Sequence, residues 1–184
     1  MLLSSLWPAG EKPPGCAGCP HAVKRQPFVP GWGKLAGRVI VVGERPGKCE
    51  SGTCDCTPRA HPRLRPFVGK SGKRIDVGLG DREDVFITNV RKCNAYDRDA
   101  KERAASIVHC VAAYLQPEMD AIDKAQKEAG IETAGVIGIG ADAAQVLVGR
   151  GKMSLLHGTV YTRAERDAMV ESRWDEVEDD EVPF

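Results

Sequence analysis

Seven cysteines are the residues of this 184-residue sequence whose type most directly predicts chemistry. An odd number of cysteines fits a closed disulfide framework poorly, and no secretory feature is present, so we expect a cytoplasmic protein with reduced thiols. Reduced thiols in such numbers indicate a bound metal ion or cluster. Cys16 and Cys19 form a C-x-x-C pair inside a Pro- and Gly-rich segment that a metal centre would hold in place.

Four short segments follow one another in an order that is more specific than any of them alone. They are Cys16-Ala-Gly-Cys19, Gly43-Glu-Arg-Pro-Gly47, Pro66-Phe-Val-Gly-Lys-Ser-Gly72 and Ile87-Thr-Asn-Val-Arg-Lys-Cys93, with Cys110 after the last. In this order they resemble the bacterial, archaeal and phage uracil-DNA glycosylases that carry a 4Fe-4S cluster. That family shows a CxxC pair, a GEAPG-like loop, a PFVG-x-x-G segment, a TNV-x-KC strand end and a last Cys in the following helix. The resemblance covers residues 13–150.

The resemblance implies a cluster with a mainly structural role. Its ligands would be Cys16, Cys19, Cys93 and Cys110. A cluster at this place would attach the Pro-rich N-terminal segment to the segment after the second predicted strand. Two alternatives stay open, namely a Cys₄ zinc site and thiols that are simply buried in the core.

The resemblance also implies a DNA N-glycosylase that removes uracil in base excision repair. The nucleotide flips out of the helix and the base leaves with negative charge while the sugar becomes oxocarbenium-like. Asn89 would read the uracil edge, because an amide offers both a donor and an acceptor. Phe67 would stack on the base, and the backbone of Pro46 and Gly47 would line the pocket. The alternatives are a turn-capping Asn89 and a Phe67 that belongs to the core.

Two acids of the GEAPG-like stretch would act near the sugar and the attacking water. They are Glu44 and Glu50 in this sequence. Both could instead be solvated loop acids, and a loop of unusual length begins beside Glu50.

Charge is unevenly distributed although the formal net charge is zero. Residues 57–75 contain no acid, and their basic side chains would contact phosphates without sequence preference. These side chains are Arg59, Arg63, Arg65, Lys70, Lys73 and Arg74. No apolar run approaches the roughly 20 residues that a membrane-spanning helix needs. We therefore expect a monomer that binds uracil-containing DNA and no membrane.

Three departures from the family pattern bear on activity. Arg45 replaces a small residue of the GEAPG-like loop, and its guanidinium would either reach a phosphate or occlude the base. Residues 48–65 form an extended loop, which is either a flexible insertion or a second metal (zinc) site. The potential zinc ligands are Cys49, Cys54, Cys56 and His61.

The third departure is the absence of an HPS-like motif, whose His helps to stabilise the departing uracil anion in the family. The histidines of this chain are His21, His61, His109 and His157, and none stands in such a motif. Loss of one donor from a preorganised site costs about 10²–10³ in rate. The alternative function is therefore a catalytically weak or inactive iron–sulfur relative that binds DNA in replication or repair.

The elements that position these residues follow from apolar patterning. Buried β-branched runs predict strands at 38–42, 84–90 and 134–139. Four helices are predicted. The first ends near residue 79, the second follows an N-cap at Asp99, the third begins at Pro117 and the fourth runs from 141 to 148. This alternation predicts an α/β three-layer sandwich with a mostly parallel sheet and helices on both faces. We expect one domain over residues 1–174 and an acidic tail over 175–184.

Overall fold

A four-stranded sheet forms the centre of the protein, seen in a computed structural model that describes residues 6–55, 64–80, 82–132 and 135–149. The strands are β1 Trp32–Gly33, β2 Val39–Gly43, β3 Val85–Asn89 and β4 Gly135–Ile139. Their order in the sheet is β1-β3-β2-β4, and β2 pairs in parallel with both β3 and β4. The mostly parallel sheet is thus confirmed. The antiparallel edge strand β1 was not predicted, because two residues are too short to show a pattern.

Helices cover the sheet at the places that the sequence predicted, with one difference. They are α1 Lys70–Leu79, α2 Ala100–Cys110, α3 Gln116–Ala129 and α4 Ala141–Val148, with a short 3-10 helix at Pro14–Gly18. Asp99 caps α2 by accepting a hydrogen bond from the Glu102 N–H, and Gly130 ends α3 with a φ of 64°. Within the described ranges, no helix is both long and apolar enough to cross a bilayer.

The expected break before Pro117 is absent, because a π-helical turn at Val111–Leu115 joins α2 directly to α3. Proline has no N–H to donate to the preceding turn, and a wider π turn is one way to accommodate this without a loop. The turn carries Tyr114, whose ring packs on Phe28 of the N-terminal segment.

The central strands β2 and β3 are buried on both faces of the sheet, which agrees with the predicted three layers. Ile40, Val42 and Phe86 pack with Leu115 and Ile122 from the α2–α3 side. On the opposite face, the buried side chains pack with apolar residues of α1. This second group consists of Val41, Phe67, Val85 and Ile87, with Ile75 and Leu79 packed against it. Because side chains alternate along a strand, Gly43 and Asn89 belong to this α1 face as well.

The carboxyl ends of the three parallel strands lie level with one another. Gly43 is the last residue of β2 and pairs with Asn89 on one side and Ile139 on the other. The chain runs from β2 to β3 and later returns to the other side of β2. Such a switch point opens a crevice beyond the strand ends, which is where parallel α/β sheets bind ligands.

Candidate active site and thiol cavity

Phe67 and Asn89 meet above Gly43 at the carboxyl end of β2. A β-carbon at Gly43 would lie 2.4 Å from Asn89 Oδ1 and 2.5 Å from Phe67 Cζ. Such separations are far below van der Waals contact, so only glycine allows the two side chains to come together here. The structure therefore brings an aromatic ring and a carboxamide, both predicted from sequence, together at the carboxyl end of β2, and we call this place the pocket.

The Asn89 side chain is buried, with 2% of its surface exposed. Its Nδ2 atom has no hydrogen-bond partner among the described residues. A buried donor without a partner costs about 1–3 kcal/mol, which makes it rare in folded proteins. The Asn89 amide thus keeps a donor that none of the residues described by the structure satisfies.

Phe67 is held in an unusual backbone conformation by three contacts. Its φ is 54°, in the left-handed region that residues with a β-carbon seldom adopt. Its N–H donates to Glu50 Oε1 at 2.6 Å, and its carbonyl accepts from Arg82 Nη2 at 2.8 Å. Gly72 of α1 approaches so closely that a β-carbon there would lie 1.7 Å from the Phe67 carbonyl oxygen. Such over-determined strain is typical of functional sites.

Both carboxylate oxygens of Glu50 are engaged with the backbone. Oε2 accepts the Gly47 N–H and Oε1 accepts the Phe67 N–H, each at 2.6 Å. Burial raises the pKa of Glu50, although these N–H groups act in the opposite direction. Glu50 therefore links the loop that contains Gly47 to the loop that contains Phe67. The sequence predicted a different role for this carboxylate, namely contact with the sugar and water.

Glu44 lies where β2 meets the turn between β4 and α4. Its Oε1 accepts the backbone N–H of Asp142 at 3.2 Å. A β-carbon at Gly140, which has a φ of 97°, would lie 2.4 Å from Glu44 Cγ. The half-buried carboxylate therefore stands in the crevice at the strand ends. Beside it, Pro46 is buried and Gly47 is exposed.

Arg45 is directed at the segment after Cys93. Its Nη1 donates to the Ala95 carbonyl at 3.0 Å, and its guanidinium carbon lies 5.2 Å from the centre of the Tyr96 ring. Of the two alternatives for this residue, these contacts do not support occlusion of the base, because the guanidinium is already engaged elsewhere.

The four cysteines predicted to hold a cluster line one cavity. The remaining lining residues are Lys12, His21, Ala22 and Lys92. Each sulfur accepts a hydrogen bond from a group outside the set of four. The donors are the Tyr114 hydroxyl to Cys16 at 3.1 Å, the His21 N–H to Cys19 at 3.4 Å, the Ala95 N–H to Cys93 and the Lys92 N–H to Cys110.

The thiols differ in their electrostatics. A hydrogen bond with Cys110 lowers the pKa of Cys19 to about 6, while burial raises the pKa of Cys16 and of Cys93. The Lys12 ammonium lies beside them and donates to the carbonyls of His21, Ala22 and Lys24. Among the described residues, no three His, Cys, Asp or Glu side chains form a group that could hold a single metal ion.

The predicted phosphate-binding residues are only partly described. Lys70, Lys73 and Arg74 lie exposed on α1, and the Arg65 guanidinium carbon lies 4.5 Å from the centre of the Trp32 ring. Arg59 and Arg63 lie outside the described residues.

Two of the four residues predicted for a second metal site, Cys56 and His61, lie in the same gap. Of the other two, Cys49 carries a thiol, whereas Cys54 is disulfide-bonded. The prediction of Cys54 as a zinc ligand is therefore wrong for this structure, because a sulfur in a disulfide is not a thiolate that can bind zinc. His157 and the acidic tail at 175–184 also lie outside the described ranges.

Comparison with known proteins adds an independent finding. A family model described as the uracil DNA glycosylase superfamily matches residues 30–172, more than half of the chain. The chain belongs to the uracil DNA glycosylase superfamily. This confirms the family that the order of the four motifs predicted.

Several curated relatives of this superfamily carry the name type-4 uracil-DNA glycosylase. The chain is 38% identical over 87 residues to the one from Thermotoga maritima, which covers 45% of this chain and 40% of the relative. It is 39% identical over 82 residues to the one from Pyrobaculum aerophilum, covering 42% and 37% respectively. For Sulfurisphaera tokodaii it is 34% identical over 127 residues, covering 65% and 51%. The chain thus spans about half or less of the length of these relatives.

Buried ion pairs around the site of this superfamily member were not predicted from the sequence. Arg91 is 3% exposed and donates to both Asp97 oxygens, at 2.9 and 2.8 Å, and to Asp142 at 3.0 Å. In α3, Glu118 Oε2 lies 2.6 Å from Lys92 Nζ, and both side chains are buried. One feature of the sequence could have indicated these ion pairs, namely that Arg91 and Lys92 directly follow an apolar strand. At the end of a buried strand, two successive charged side chains are seldom both in water.

Proposed function

We propose that this protein removes uracil from DNA by hydrolysing the N-glycosidic bond. The observation that carries the proposal is the convergence of two side chains above Gly43. They are the Phe67 ring and the Asn89 amide, whose Nδ2 has no partner among the described residues. An aromatic face suits a flat base, and a buried amide suits the paired donor and acceptor groups of a uracil edge.

In the proposed reaction, the bond between uracil N1 and C1′ breaks and its electron pair leaves with the base. Asn89 Nδ2 donates to a uracil carbonyl oxygen, where negative charge develops. A water molecule held by the Glu44 carboxylate bonds to C1′, and its proton passes through Glu44 to solvent. The uracil anion takes a proton from water, so the products are free uracil and an abasic sugar. Glu50 acts as a positioning residue, because its oxygens hold the Gly47 and Phe67 backbones.

We further propose that Cys16, Cys19, Cys93 and Cys110 hold a 4Fe-4S cluster. Their common cavity and the hydrogen bond to each sulfur support this. Four thiolates suit a cluster, in which each of them binds a different iron. The cluster would tie the N-terminal segment to the loop after β3.

A second candidate function is a relative that binds DNA but excises uracil slowly or not at all. The sequence favours it in one respect, because the HPS-like motif is absent. Exposed basic residues of α1 support DNA binding equally under both functions.

One assay separates the two functions. The purified protein is incubated in excess with a uracil-containing oligonucleotide, and alkali then cleaves the strand at any abasic site. Strand scission at the uracil position is the expected result, with a thymine-containing oligonucleotide as the control. Intact strands at high protein excess, together with measurable DNA binding, would establish the second function instead.

A further inference from the structure

Tyr96 is the exposed aromatic residue of the described ranges, with 62% of its surface accessible. The other described aromatic side chains are buried or half-buried. Its backbone is nevertheless well anchored, because the Tyr96 carbonyl accepts from Lys24 Nζ at 2.5 Å and the Ala95 carbonyl accepts from Arg45 Nη1 at 3.0 Å. An aromatic ring is thus held outward on a fixed piece of chain.

The Arg45 guanidinium lies against this ring, with its carbon 5.2 Å from the ring centre. Arg45 directly follows Glu44 in the chain, and Tyr96 directly precedes Asp97. Asp97 binds Arg91, Arg91 binds Asp142, and the Asp142 N–H donates to Glu44 Oε1. These contacts connect the pair to the carboxylate at the strand ends, so we place it at the rim of the pocket. A cation over an aromatic ring is favourable and also reinforces stacking on the free face. Arg45 and Tyr96 together form what we call the rim stack.

The surroundings of the rim stack suit a negatively charged partner. Arg98 beside it has 80% of its side chain exposed. Of the acids nearby, Asp97 binds Arg91, Glu102 binds both Lys24 and Arg98, and Asp99 is exposed and caps α2. A phosphate backbone approaching the ring would therefore meet the exposed Arg98, while cations already neutralise Asp97 and Glu102.

We propose that the rim stack receives a nucleobase adjacent to the flipped nucleotide. Flipping leaves the neighbouring bases unstacked on one face, and an aromatic ring can replace the lost contact for any base. This inference rests on the proposed function, because it assumes a flipped nucleotide in the pocket. Arg45 replaces a small residue of the family pattern. The proposal gives this arginine a role in holding the DNA strand.

The test uses an oligonucleotide that carries a tetrahydrofuran abasic analogue with 2-aminopurine on one side or the other of it. With wild-type protein, 2-aminopurine on one of the two sides is expected to stay quenched, because it stacks on Tyr96. Tyr96→Leu should weaken binding by about 5- to 10-fold and raise the fluorescence at that side. Tyr96→Phe keeps a ring and should behave as the wild type. Arg45→Met should weaken binding by about two- to fivefold.

Val108→Ala is the matched control, since Val108 is another exposed hydrophobic residue and lies on α2. Thermal unfolding of every variant checks that the fold is kept. If the wild type excises uracil but Tyr96→Leu matches it in affinity and fluorescence, the rim stack is overturned while the proposed function stands. If the wild type neither binds this DNA nor excises uracil, the proposed function itself fails, and the inference fails with it.

Discussion

Glu50 and Phe67 are joined by a hydrogen bond of 2.6 Å from the Phe67 N–H to Glu50 Oε1. The other oxygen of Glu50 accepts the Gly47 N–H, so one carboxylate holds the two loops that border the pocket. Phe67 has a left-handed backbone that would relax if this bond were lost. The Glu50 carboxylate therefore fixes the place of the ring that would stack on the base.

Glu50→Gln keeps the size of the side chain but puts an NH₂ group opposite one of the two N–H donors. We expect the free energy of unfolding to fall by about 1–3 kcal/mol, because a buried N–H loses its acceptor. Uracil excision should fall through a higher KM, since the misplaced Phe67 binds the base less well. Chemical denaturation and initial rates measure the two effects. An unchanged KM in a destabilised variant would show that Glu50 supports the fold without positioning Phe67.

Gly43→Ala should remove excision while sparing DNA binding. The new methyl group would lie about 2.4–2.5 Å from Asn89 Oδ1 and Phe67 Cζ, so at least one of them must leave the pocket. We expect excision to fall at least about 100-fold, the effect of losing one preorganised group. Gly78→Ala is the control, because a β-carbon at Gly78 in α1 meets nothing within 4 Å. That variant should keep its activity and gain about 0.5–1 kcal/mol of stability.

Asn89→Asp tests the amide alone, since it replaces Nδ2 with oxygen and changes little else in shape. The donor is lost and a negative charge faces the departing anion, so excision should fall by more than about 100-fold. Asn89→Ala should also lose excision while keeping the fold, because Nδ2 has no partner within the described protein. Excision rates and circular dichroism are the measurements. Activity like that of the wild type in either variant would remove Asn89 from the site.

Tyr114→Phe tests the cluster without touching a proposed ligand. It keeps the ring that packs on Trp7 and Phe28 but removes the hydroxyl that donates to Cys16 Sγ at 3.1 Å. We expect a few-fold faster loss of the broad visible absorption in the presence of an iron chelator, since the Cys16 thiolate is less well oriented. Stability of the fold should change by only about 1 kcal/mol. Equal bleaching rates would contradict a role for this bond.

Glu102 gives a prediction for pH. Hydrogen bonds, first from the Arg98 N–H and then from Lys24, lower its pKa from 4.5 to about 2. A carboxylate with a lowered pKa stabilises the fold above its unfolded pKa, and this contribution is lost as pH falls through the folded pKa. Wild type should therefore exceed Glu102→Gln in melting temperature at pH 7, and the difference should shrink from about pH 4.5 towards pH 2. A difference that stays constant across this range would contradict the assignment.

The strands and helices were predictable because their signals are local. The apolar, β-branched run of β2 predicts a buried strand without reference to the rest of the chain. The Asp99 cap likewise depends only on residues in the first turn of α2. The π-helical turn before Pro117 was not predictable, since Tyr114 and Leu115 are held by packing against other parts of the chain.

The candidate site was predictable as a set of residues but not as a geometry. Asn89, Phe67 and Glu44 were named from motif order, and the structure brings the first two together over Gly43. Two features depend on loops that are distant in the sequence, so no local pattern encodes them. They are the link that Glu50 makes to Phe67 and the contact of Arg45 with Tyr96. Their roles in catalysis stay predictions.

Residue type, order and periodicity were enough to predict the family and the parallel sheet and to name candidate cluster thiols and pocket residues. Which of these side chains meet depends on the folded chain. The pocket forms because Gly43 and Asn89 are paired in neighbouring strands and their side chains point to the same face of the sheet. The π-helical turn between α2 and α3 brings the Tyr114 hydroxyl to Cys16. Contacts of this kind join residues far apart in the chain, so they follow from how elements pack and not from the sequence around either partner.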